Sequence, residues 1–266
     1  MKIDEMRGAW ALVTGASSGI GREYCVQLAC RGINLVLVAR RASRLEELAQ
    51  ELMLVYKIGT LVIAQDLGVP EGAGLVRERV RDAGISIRLL VNNAAFGQWG
   101  RFEEASPERY QVMLQTNVAS LVGLTQGFLS DLERGAPSAV VNLASAAAYQ
   151  PVPYMAVYAA SKAFVMSFSL ALYAEWLARG VLVQTLVPGA TESEFDQVAG
   201  AYASAITSRG TPRAVVRDSL LALERGSPVA LNARGIFKQR FFAGLFPPKF
   251  VVAEVAKMFR PPTERS

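Results

Sequence analysis

The chain contains seven short apolar runs without a polar face, and this feature limits the possible folds more than any other. The runs cover residues 9–14, 33–39, 60–65, 88–92, 138–143, 181–187 and 229–231. Strands that are apolar on both faces belong to sheets that are covered on both sides. Segments with helical periodicity separate them, which is typical of parallel strands joined by crossovers. The sequence therefore predicts an α/β chain: a single-domain Rossmann fold with a doubly wound parallel sheet of about seven strands and helices on both faces.

The helical segments divide the rest of the chain. They cover residues 19–31, 44–56, 70–83, 107–133, 154–179, 194–207 and 212–225. Ser106 and Pro107 are typical N-cap and first helical residues, and we expect the long helix after them to break near Gly123. A chain of 266 residues suits one large domain. We assign residues 1–232 to this domain and residues 233–266 to a basic amphipathic extension packed on it.

All of the net charge lies in the C-terminal tail. Residues 226–266 contain seven Lys/Arg and two acidic residues, whereas residues 1–225 contain 21 of each sign. The tail mixes these cations with aromatic residues. It therefore predicts either packing on the domain or on a partner subunit, or peripheral contact with a membrane or a lipid-like substrate. Nothing else in the sequence supports binding to nucleic acid.

The N-terminus is too polar for a secretory signal, and no uninterrupted apolar run reaches the length of a membrane span. Cys25 and Cys30 are the only cysteines, and their spacing on a predicted helix points them in different directions, which disfavours a disulfide. These features predict a reduced, cytoplasmic protein.

The chain contains no histidine. This absence excludes Ser-His and Cys-His nucleophiles and removes the commonest ligand of transition metals, so we predict no metal site. In an enzyme, the acid–base group would then be Tyr, Lys, Asp, Glu or Cys.

A glycine-rich turn connects the first predicted strand to the first predicted helix. Its sequence is Thr14-Gly15-Ala16-Ser17-Ser18-Gly19-Ile20-Gly21. Such glycines allow a tight turn and the close approach of a pyrophosphate to the N–H groups of a helix N-terminus. Arg40, followed by Arg41, comes after the second strand, at the position where an acidic residue suits NAD and an arginine suits the 2′-phosphate of NADP. The sequence therefore predicts NADP(H) as the cofactor; a plain βα turn with two solvated arginines is the alternative.

Polar residues also follow the third and fourth strands. Asp66, followed by Leu67, can accept a hydrogen bond from an adenine amino group or merely cap its strand. Asn92 and Asn93 can tie strands together, and Ala94 and Ala95 follow them at the cofactor cleft. We assign Leu67, Asn93, Ala94 and Ala95, with Asp66, to the cofactor site.

Tyr158 and Lys162 are four positions apart on a predicted helix and so share one face. A phenol titrates at about 10, and a nearby ammonium group favours the phenolate and lowers that value. A tyrosine tuned in this way can exchange a proton with a carbonyl or an alcohol. Ser145 follows the fifth strand, at the edge where ligands of such sheets bind, and can stabilise an oxyanion. Asn117 lies within a long helix, either as a satisfied core amide or holding a water behind Lys162.

Together these motifs resemble the short-chain dehydrogenase/reductase family over residues 9–231. The matching elements are Thr14-Gly15-x-x-x-Gly19-Ile20-Gly21, Asn92-Asn93-Ala94, Asn117, Ser145, Tyr158-x-x-x-Lys162 and Pro188-Gly189-x-Thr191. The resemblance implies a catalytic tetrad of Asn117, Ser145, Tyr158 and Lys162. It also implies that Lys162 binds the nicotinamide ribose, that Asn117 anchors a relay water, and that Pro188, Gly189 and Thr191 hold the nicotinamide end.

Two features depart from the family pattern. Ala95 replaces the usual glycine, and about 35 residues follow the last predicted strand. In its long C-terminus, and in Val38-Ala39-Arg40-Arg41 with Arg44-Leu45-Glu46-Glu47-Leu48, the chain is similar to 3-oxoacyl-CoA reductases and hydroxysteroid dehydrogenases. The resemblance thus implies an NADPH-dependent reductase or alcohol dehydrogenase for a small hydrophobic carbonyl or alcohol substrate, acting as a homodimer or homotetramer.

We expect the substrate to lie near Ser145 and the loop at 190–210, with Phe96, Gln98 and Tyr154 as neighbours. A catalytically idle NADP-binding scaffold or regulatory protein is the alternative, and the intact tetrad argues against it. An epimerase or dehydratase related to this family would have a different glycine spacing and a longer substrate domain.

Overall fold

The computed structural model describes residues 2–200, 209–232 and 244–261. Within them, seven strands form one parallel sheet in the order β3-β2-β1-β4-β5-β6-β7. The strands are β1 (Trp10–Thr14), β2 (Asn34–Ala39), β3 (Thr60–Ala64), β4 (Ile87–Asn92), β5 (Ser138–Leu143), β6 (Val181–Pro188) and β7 (Val229–Asn232). The predicted doubly wound parallel sheet of seven strands is confirmed.

Helices cover both faces of this sheet. They are α1 (Gly19–Ala29), α2 (Ala42–Tyr56), α3 (Gly72–Asp82), α4 (Pro107–Leu114), α5 (Ser120–Gly127), α6 (Leu129–Arg134), α7 (Ala156–Trp176), α8 (Phe195–Ala199), α9 (Pro212–Glu224) and α10 (Pro248–Phe259). The side chains of β1 pack into two hydrophobic cores, one on each face of the sheet. Ala11 and Val13 pack on one side with α1, α2 and α9, whereas Leu12 packs on the other with α3, α5 and α6. Alternation along a strand therefore builds two cores from one apolar run.

The order of the strands places the cleft. From β1 the chain builds outward through β2 and β3, then returns and builds in the other direction from β4. Loops after β1 and β4 therefore diverge at the carboxyl edge of the sheet and leave a crevice, where ligands of such folds bind. Every strand-end motif found in the sequence lies at this edge.

The long helix predicted at 107–133 is divided differently from the expectation. A π-helical turn at Gln115–Ala119 separates α4 from α5, and α6 follows a second break at Phe128. The predicted break near Gly123 is wrong. A Cβ at that glycine would lie 3.2 Å from the Cβ of Ala73, so Gly123 allows α5 to approach α3 closely.

Helix α7 begins two residues later than predicted, because Tyr154 has a left-handed backbone (φ 65°). By length and composition alone, residues 156–179 could span a membrane. In the folded chain this helix packs against β5 and β6 and contributes buried side chains to the cleft.

The predicted helix at 194–207 is observed as α8, Phe195–Ala199, and residues 201–208 lie outside the described residues. Much of the predicted extension, residues 233–243 and 262–266, also lies outside them. Its described part contains α10, whose Val251 and Val255 are buried beside Phe96 and Trp99.

Candidate active site

A large cleft opens at the carboxyl edge of the sheet, with a volume of about 1840 Å³. It brings together most of the residues that the sequence singled out. Those lining it are Gly15, Ser17, Ser18, Gly19, Ile20, Arg40, Arg41, Asp66, Leu67, Asn93, Ala94, Ala95, Phe96, Ser145, Tyr158, Lys162, Pro188, Gly189 and Thr191.

The glycine-rich turn forms the floor of one half of the cleft. Gly15 and Gly19 have positive φ angles of 66° and 52°, which other residues adopt only with strain. At Gly21, a Cβ would lie 2.2 Å from the carbonyl oxygen of Gly15, so the turn closes only with glycine there. The N-terminus of α1 has no side-chain cap, and its first N–H groups remain available. This turn fits the pyrophosphate of a dinucleotide.

Two asparagines fix the strand ends beside this turn. Asn93 Nδ2 donates to the carbonyl oxygens of Thr14 (2.8 Å) and Gly15 (3.3 Å), and Asn92 Nδ2 donates to Thr125 and Asn142. These bonds hold β1, β4 and β5 in place, as expected. Ala95 is not among the described residues with positive φ, so its methyl group causes no backbone strain.

A cationic cluster closes the same half of the cleft. Arg41 Nη2 donates to the hydroxyls of Ser17 (2.9 Å) and Ser18 (3.1 Å). Its Nη1 lies 2.7 Å from Glu194, which also pairs with Arg44. Arg40 is exposed at the cleft wall, and its side chain makes no hydrogen bond with another residue in the described part of the chain.

Arg44 and Glu194 were not predicted as site residues from the sequence. The spacing of Arg41 and Arg44, three positions apart at the start of a helix, could have indicated that they share a face. No local signal identifies Glu194.

Asp66 and Leu67 lie at the end of β3 and form the next part of the wall. Asp66 Oδ1 accepts a hydrogen bond from the N–H of Gly68 at 2.8 Å. The strand-end cap that the sequence offered as one interpretation is therefore present, and a contact with adenine stays a prediction.

Tyr158 and Lys162 lie together on α7 at the other half of the cleft, with exposed fractions of 8% and 2%. Lys162 Nζ lies 5.8 Å from the centroid of the Tyr158 ring and donates to the carbonyl oxygen of Leu143 at 2.7 Å. Ser145 follows β5, accepts from the N–H of Ala147 and hydrogen-bonds with Tyr158. The three side chains thus converge on one point.

The expected lowering of the Tyr158 pKa is wrong. Burial raises the pKa of Tyr158 to about 12; the bond with Ser145 lowers it in part, and Asp196 raises it further. Burial also lowers the pKa of Lys162 to about 7, so near neutral pH a large fraction of this amine is uncharged. For both groups burial is the largest cause, because it takes the ionisable group out of water.

Asn117 lies in the π-helical turn and is buried. Its Oδ1 accepts from the N–H of Phe96, and its Nδ2 donates to the Phe96 carbonyl oxygen (3.0 Å) and to Ser161 Oγ (3.1 Å). Of the two interpretations from the sequence, the structure shows the satisfied core amide. The side chain ties the loop after β4 to α7, and a water relay stays a prediction.

Pro188, Gly189 and Thr191 line the cleft after β6. Gly189 N–H donates to Asn232, and Thr191 Oγ1 donates to the carbonyl oxygen of Gly189 at 3.0 Å. Phe195 then contacts the Tyr158 ring, with centroids 5.2 Å apart. This segment therefore spans the middle of the cleft.

The substrate half has a mainly apolar wall. Of the residues proposed for it, Phe96 lines the cleft, whereas Gln98 and Tyr154 are not among its described lining residues. Gln98 instead bonds to Arg109 and to the carbonyl oxygen of Trp99. Apolar lining residues that the sequence analysis missed are Trp99, Val152, Met155, Phe195, Phe250, Val255, Met258 and Phe259.

A glycine turn for a dinucleotide facing a buried Tyr-Lys-Ser group defines the class of nicotinamide-dependent oxidoreductases. The family model "short chain dehydrogenase" matches residues 9–202. The chain belongs to the short-chain dehydrogenase/reductase family.

Known proteins agree with this assignment. A very-long-chain 3-oxoacyl-CoA reductase of Anas platyrhynchos is 34% identical over 187 residues, covering 68% of this chain and 59% of that protein. The human inactive hydroxysteroid dehydrogenase-like protein 1 is 32% identical, covering 68% and 55%. The chain thus spans less than two thirds of the length of these relatives. The expected resemblance to 3-oxoacyl-CoA reductases and hydroxysteroid dehydrogenases is confirmed.

A solved structure extends the comparison to the fold. A short-chain dehydrogenase from Sphingobium yanoikuyae in complex with NADPH superimposes with a TM-score of 0.80 at 30% identity, covering 89% of this chain and 93% of that one.

Proposed function

We propose that this protein is an NADP(H)-dependent carbonyl reductase or alcohol dehydrogenase that acts on a bulky hydrophobic carbonyl or alcohol. The observation that carries the proposal is the convergence of Tyr158, Ser145 and Lys162 inside a cleft that has a dinucleotide turn at one end and an apolar wall at the other.

Tyr158 is the general acid in this proposal. With a pKa of about 12 its phenol holds its proton at neutral pH, and in reduction it donates that proton to the substrate carbonyl oxygen. Ser145 hydrogen-bonds with the phenol and can donate to the same developing oxyanion. When bound, NADPH would supply the hydride. Lys162, Pro188, Gly189 and Thr191, which line the cleft, would hold its nicotinamide end.

The proposal is tested directly by turnover. Purified protein is incubated with NADPH and a panel of ketones and 3-oxoacyl thioesters of increasing size, and the loss of NADPH absorbance is followed. Consumption that depends on a bulky carbonyl supports the proposal. Tight NADPH binding without turnover of any carbonyl would instead support a catalytically idle NADP-binding scaffold, which the name of the inactive human relative favours.

Arg41 carries the proposed preference for NADP(H) over NAD(H), because it lies beside Ser17 and Ser18 at the cationic end of the cleft. Arg41→Ala should weaken NADPH binding by about 1.5–3 kcal/mol, the range for a hydrogen bond to a charged group, and leave NADH affinity nearly unchanged. Calorimetric titration with both cofactors measures this. Arg40→Ala is the matched comparison and should have the smaller effect; equal losses for NADPH and NADH would remove the assignment.

Helix α10 forms one wall of the proposed substrate site. The carbonyl oxygen of Phe259 accepts from Trp99 Nε1 at 2.9 Å, and Met258 lies at the rim with 60% of its surface exposed. Met258→Glu should lower kcat/KM for a bulky apolar ketone about tenfold, since apolar contacts of this size contribute about 1–3 kcal/mol. Met53→Glu is the control, because this exposed methionine lies on α2 and does not line the cleft. Equal effects of the two substitutions would contradict a substrate wall at α10.

We further propose a cytoplasmic homodimer or homotetramer. The stacked rings of Phe164 and Phe168 on the outer face of α7 support self-association, because Phe164 is 42% exposed in the single chain. Leu245, Phe246 and Phe250 are exposed, and Phe250 also lines the cleft; these apolar side chains support a separate proposal, peripheral contact of the tail with a membrane.

A further inference from the structure

A short segment after β6, residues 193–196, lies across the cleft and connects its two ends. Ser193 Cβ lies 3.1 Å from the position that a Cβ on Gly19 would occupy, so the segment touches the glycine-rich turn. Two residues later, the ring of Phe195 contacts that of Tyr158. Between them, the side chain of Glu194 extends to the cationic end of the cleft.

The Glu194 carboxylate is held by two arginines at once. Its Oε2 lies 2.7 Å from Arg41 Nη1, and its Oε1 lies 2.5 Å from Arg44 Nη1. The same Arg41 guanidinium donates to the hydroxyls of Ser17 and Ser18. Guanidinium and hydroxyl donors arranged in this way suit an oxyanion with several acceptors, such as a phosphate. In this structure, the Glu194 carboxylate fills this position.

Glu194 remains ionised in this position. Hydrogen bonds from Arg44 and then Arg41 hold the pKa of its carboxyl below the ordinary value. One negative charge of the chain itself therefore offsets part of the positive charge of the two arginines at neutral pH. A second anion would find its hydrogen-bond donors occupied and a like charge beside them.

We propose that Glu194 is an internal competitor for the 2′-phosphate of NADP(H), and that its carboxylate leaves Arg41 and Arg44 when that phosphate binds. This inference rests on the proposed function. It makes Arg44 a second ligand of the phosphate, and it makes Glu194 the residue that sets how strongly NADP(H) is preferred over NAD(H). NADH has no 2′-phosphate and does not need the displacement.

The expected change in NADPH affinity on removing the Glu194 charge follows from the solvent exposure of the three side chains. The side chains of Glu194, Arg41 and Arg44 are 36%, 41% and 46% exposed, so solvent screens both ion pairs. Glu194→Gln retains the shape but removes the charge. It should tighten NADPH binding about three- to tenfold, the range for losing one or two screened ion pairs, and change NADH binding less than about twofold.

The test measures dissociation constants by calorimetry for wild-type protein and Glu194→Gln. The ligands are NADPH, NADH, adenosine 2′,5′-bisphosphate and adenosine 5′-monophosphate; the last two isolate the phosphate from the nicotinamide end. We expect tighter binding of the two 2′-phosphorylated ligands alone. Glu192→Gln is the matched control, since it removes the same charge from the same segment, and Glu192 makes no ion pair with Arg41 or Arg44 in the described part of the chain.

Three outcomes would overturn the proposal. They are unchanged or weaker NADPH binding in Glu194→Gln, an equal shift for NADH, or an equal shift in Glu192→Gln. In an Arg41→Ala background, the tightening by Glu194→Gln should be smaller than in the wild type. A wild-type protein that binds NADPH no more tightly than NADH contradicts the proposed cofactor preference itself, whereas an intact preference with no response to Glu194→Gln contradicts only the role of Glu194.

Discussion

Tyr158→Phe should abolish most turnover while leaving the folded chain and its cofactor site intact. The substitution removes only the hydroxyl that we propose as proton donor, and general acid–base groups contribute about 10²–10⁴-fold to rate. The ring would keep its contact with Phe195, so packing is preserved. We expect kcat with a responsive ketone to fall by about 10²–10⁴-fold, with the NADPH dissociation constant changed by less than about twofold. NADPH absorbance gives the rate, and calorimetry gives the affinity.

Tyr149→Phe is the matched control for this experiment. Tyr149 ends the short 3₁₀ helix after Ser145, is partly buried and does not line the cleft. Tyr149→Phe removes the same phenol oxygen as Tyr158→Phe, at a position close to the active site. We expect the turnover of this variant to remain near that of the wild type. Retained activity in Tyr158→Phe would falsify the proposed acid–base role, whereas a similar loss in both variants would indicate a structural effect.

Lys162→Met should have two opposite effects: loss of turnover and a gain in stability near neutral pH. Lys162 is 2% exposed, and burial lowers its pKa from 10.5 to about 7. At pH 7 the lysine is charged in the unfolded chain, whereas burial in the folded chain disfavours the charged form. Burying this residue therefore costs free energy of folding. This cost is about 4 kcal/mol at pH 7 from the two pKa values. Methionine removes it but leaves the Leu143 carbonyl oxygen without the lysine, which costs about 1–3 kcal/mol. The net gain should be about 1–3 kcal/mol in the free energy of unfolding.

The sign of the pH dependence follows from proton binding. Between pH 7 and 10.5 the unfolded lysine holds more protons than the folded one, so wild-type stability rises with pH through this window. Below pH 7 both forms are largely protonated and the cost is fully present. From pH 7 to 9 the wild type should gain about 2 kcal/mol from this residue, and Lys162→Met should lack that gain.

Urea unfolding at pH 7 and pH 9 measures these free energies. Lys249→Met serves as the control, because this lysine is exposed on α10 and remains hydrated in the folded chain. It should leave the pH dependence unchanged. A Lys162→Met variant that keeps the wild-type rise in stability would show that Lys162 is not the buried amine responsible.

Part of the fold and site could be predicted because local patterns encode it. Apolar runs without a polar face identified the buried parallel strands, and the glycines of the first turn identified the dinucleotide floor. The spacing of Tyr158 and Lys162 correctly placed both side chains on one face of a helix that borders the cleft. Each of these signals depends on hydrogen-bond periodicity or backbone conformation, which a few neighbouring residues determine.

Errors arose where distant segments decide the local structure. The long helix breaks in a π-helical turn at Asn117, whose side chain bonds to the backbone of Phe96 from another part of the chain, and not at Gly123, which serves helix packing. The Tyr158 pKa is raised, and burial of the phenol is the largest cause. Burial depends on the whole fold, so residue spacing alone gives the pair but not its electrostatics.

The sequence by itself determined the parallel sheet, the glycine turn and the group of residues that act at strand ends, because these follow from short-range periodicity and residue chemistry. Only the tertiary structure decided that Glu194 meets Arg41 and Arg44 from about 150 positions away and that Phe259 closes the cleft against Trp99. Contacts between such distant positions depend on how every intervening strand and helix packs. That packing is why the anion site and its internal carboxylate are properties of the fold.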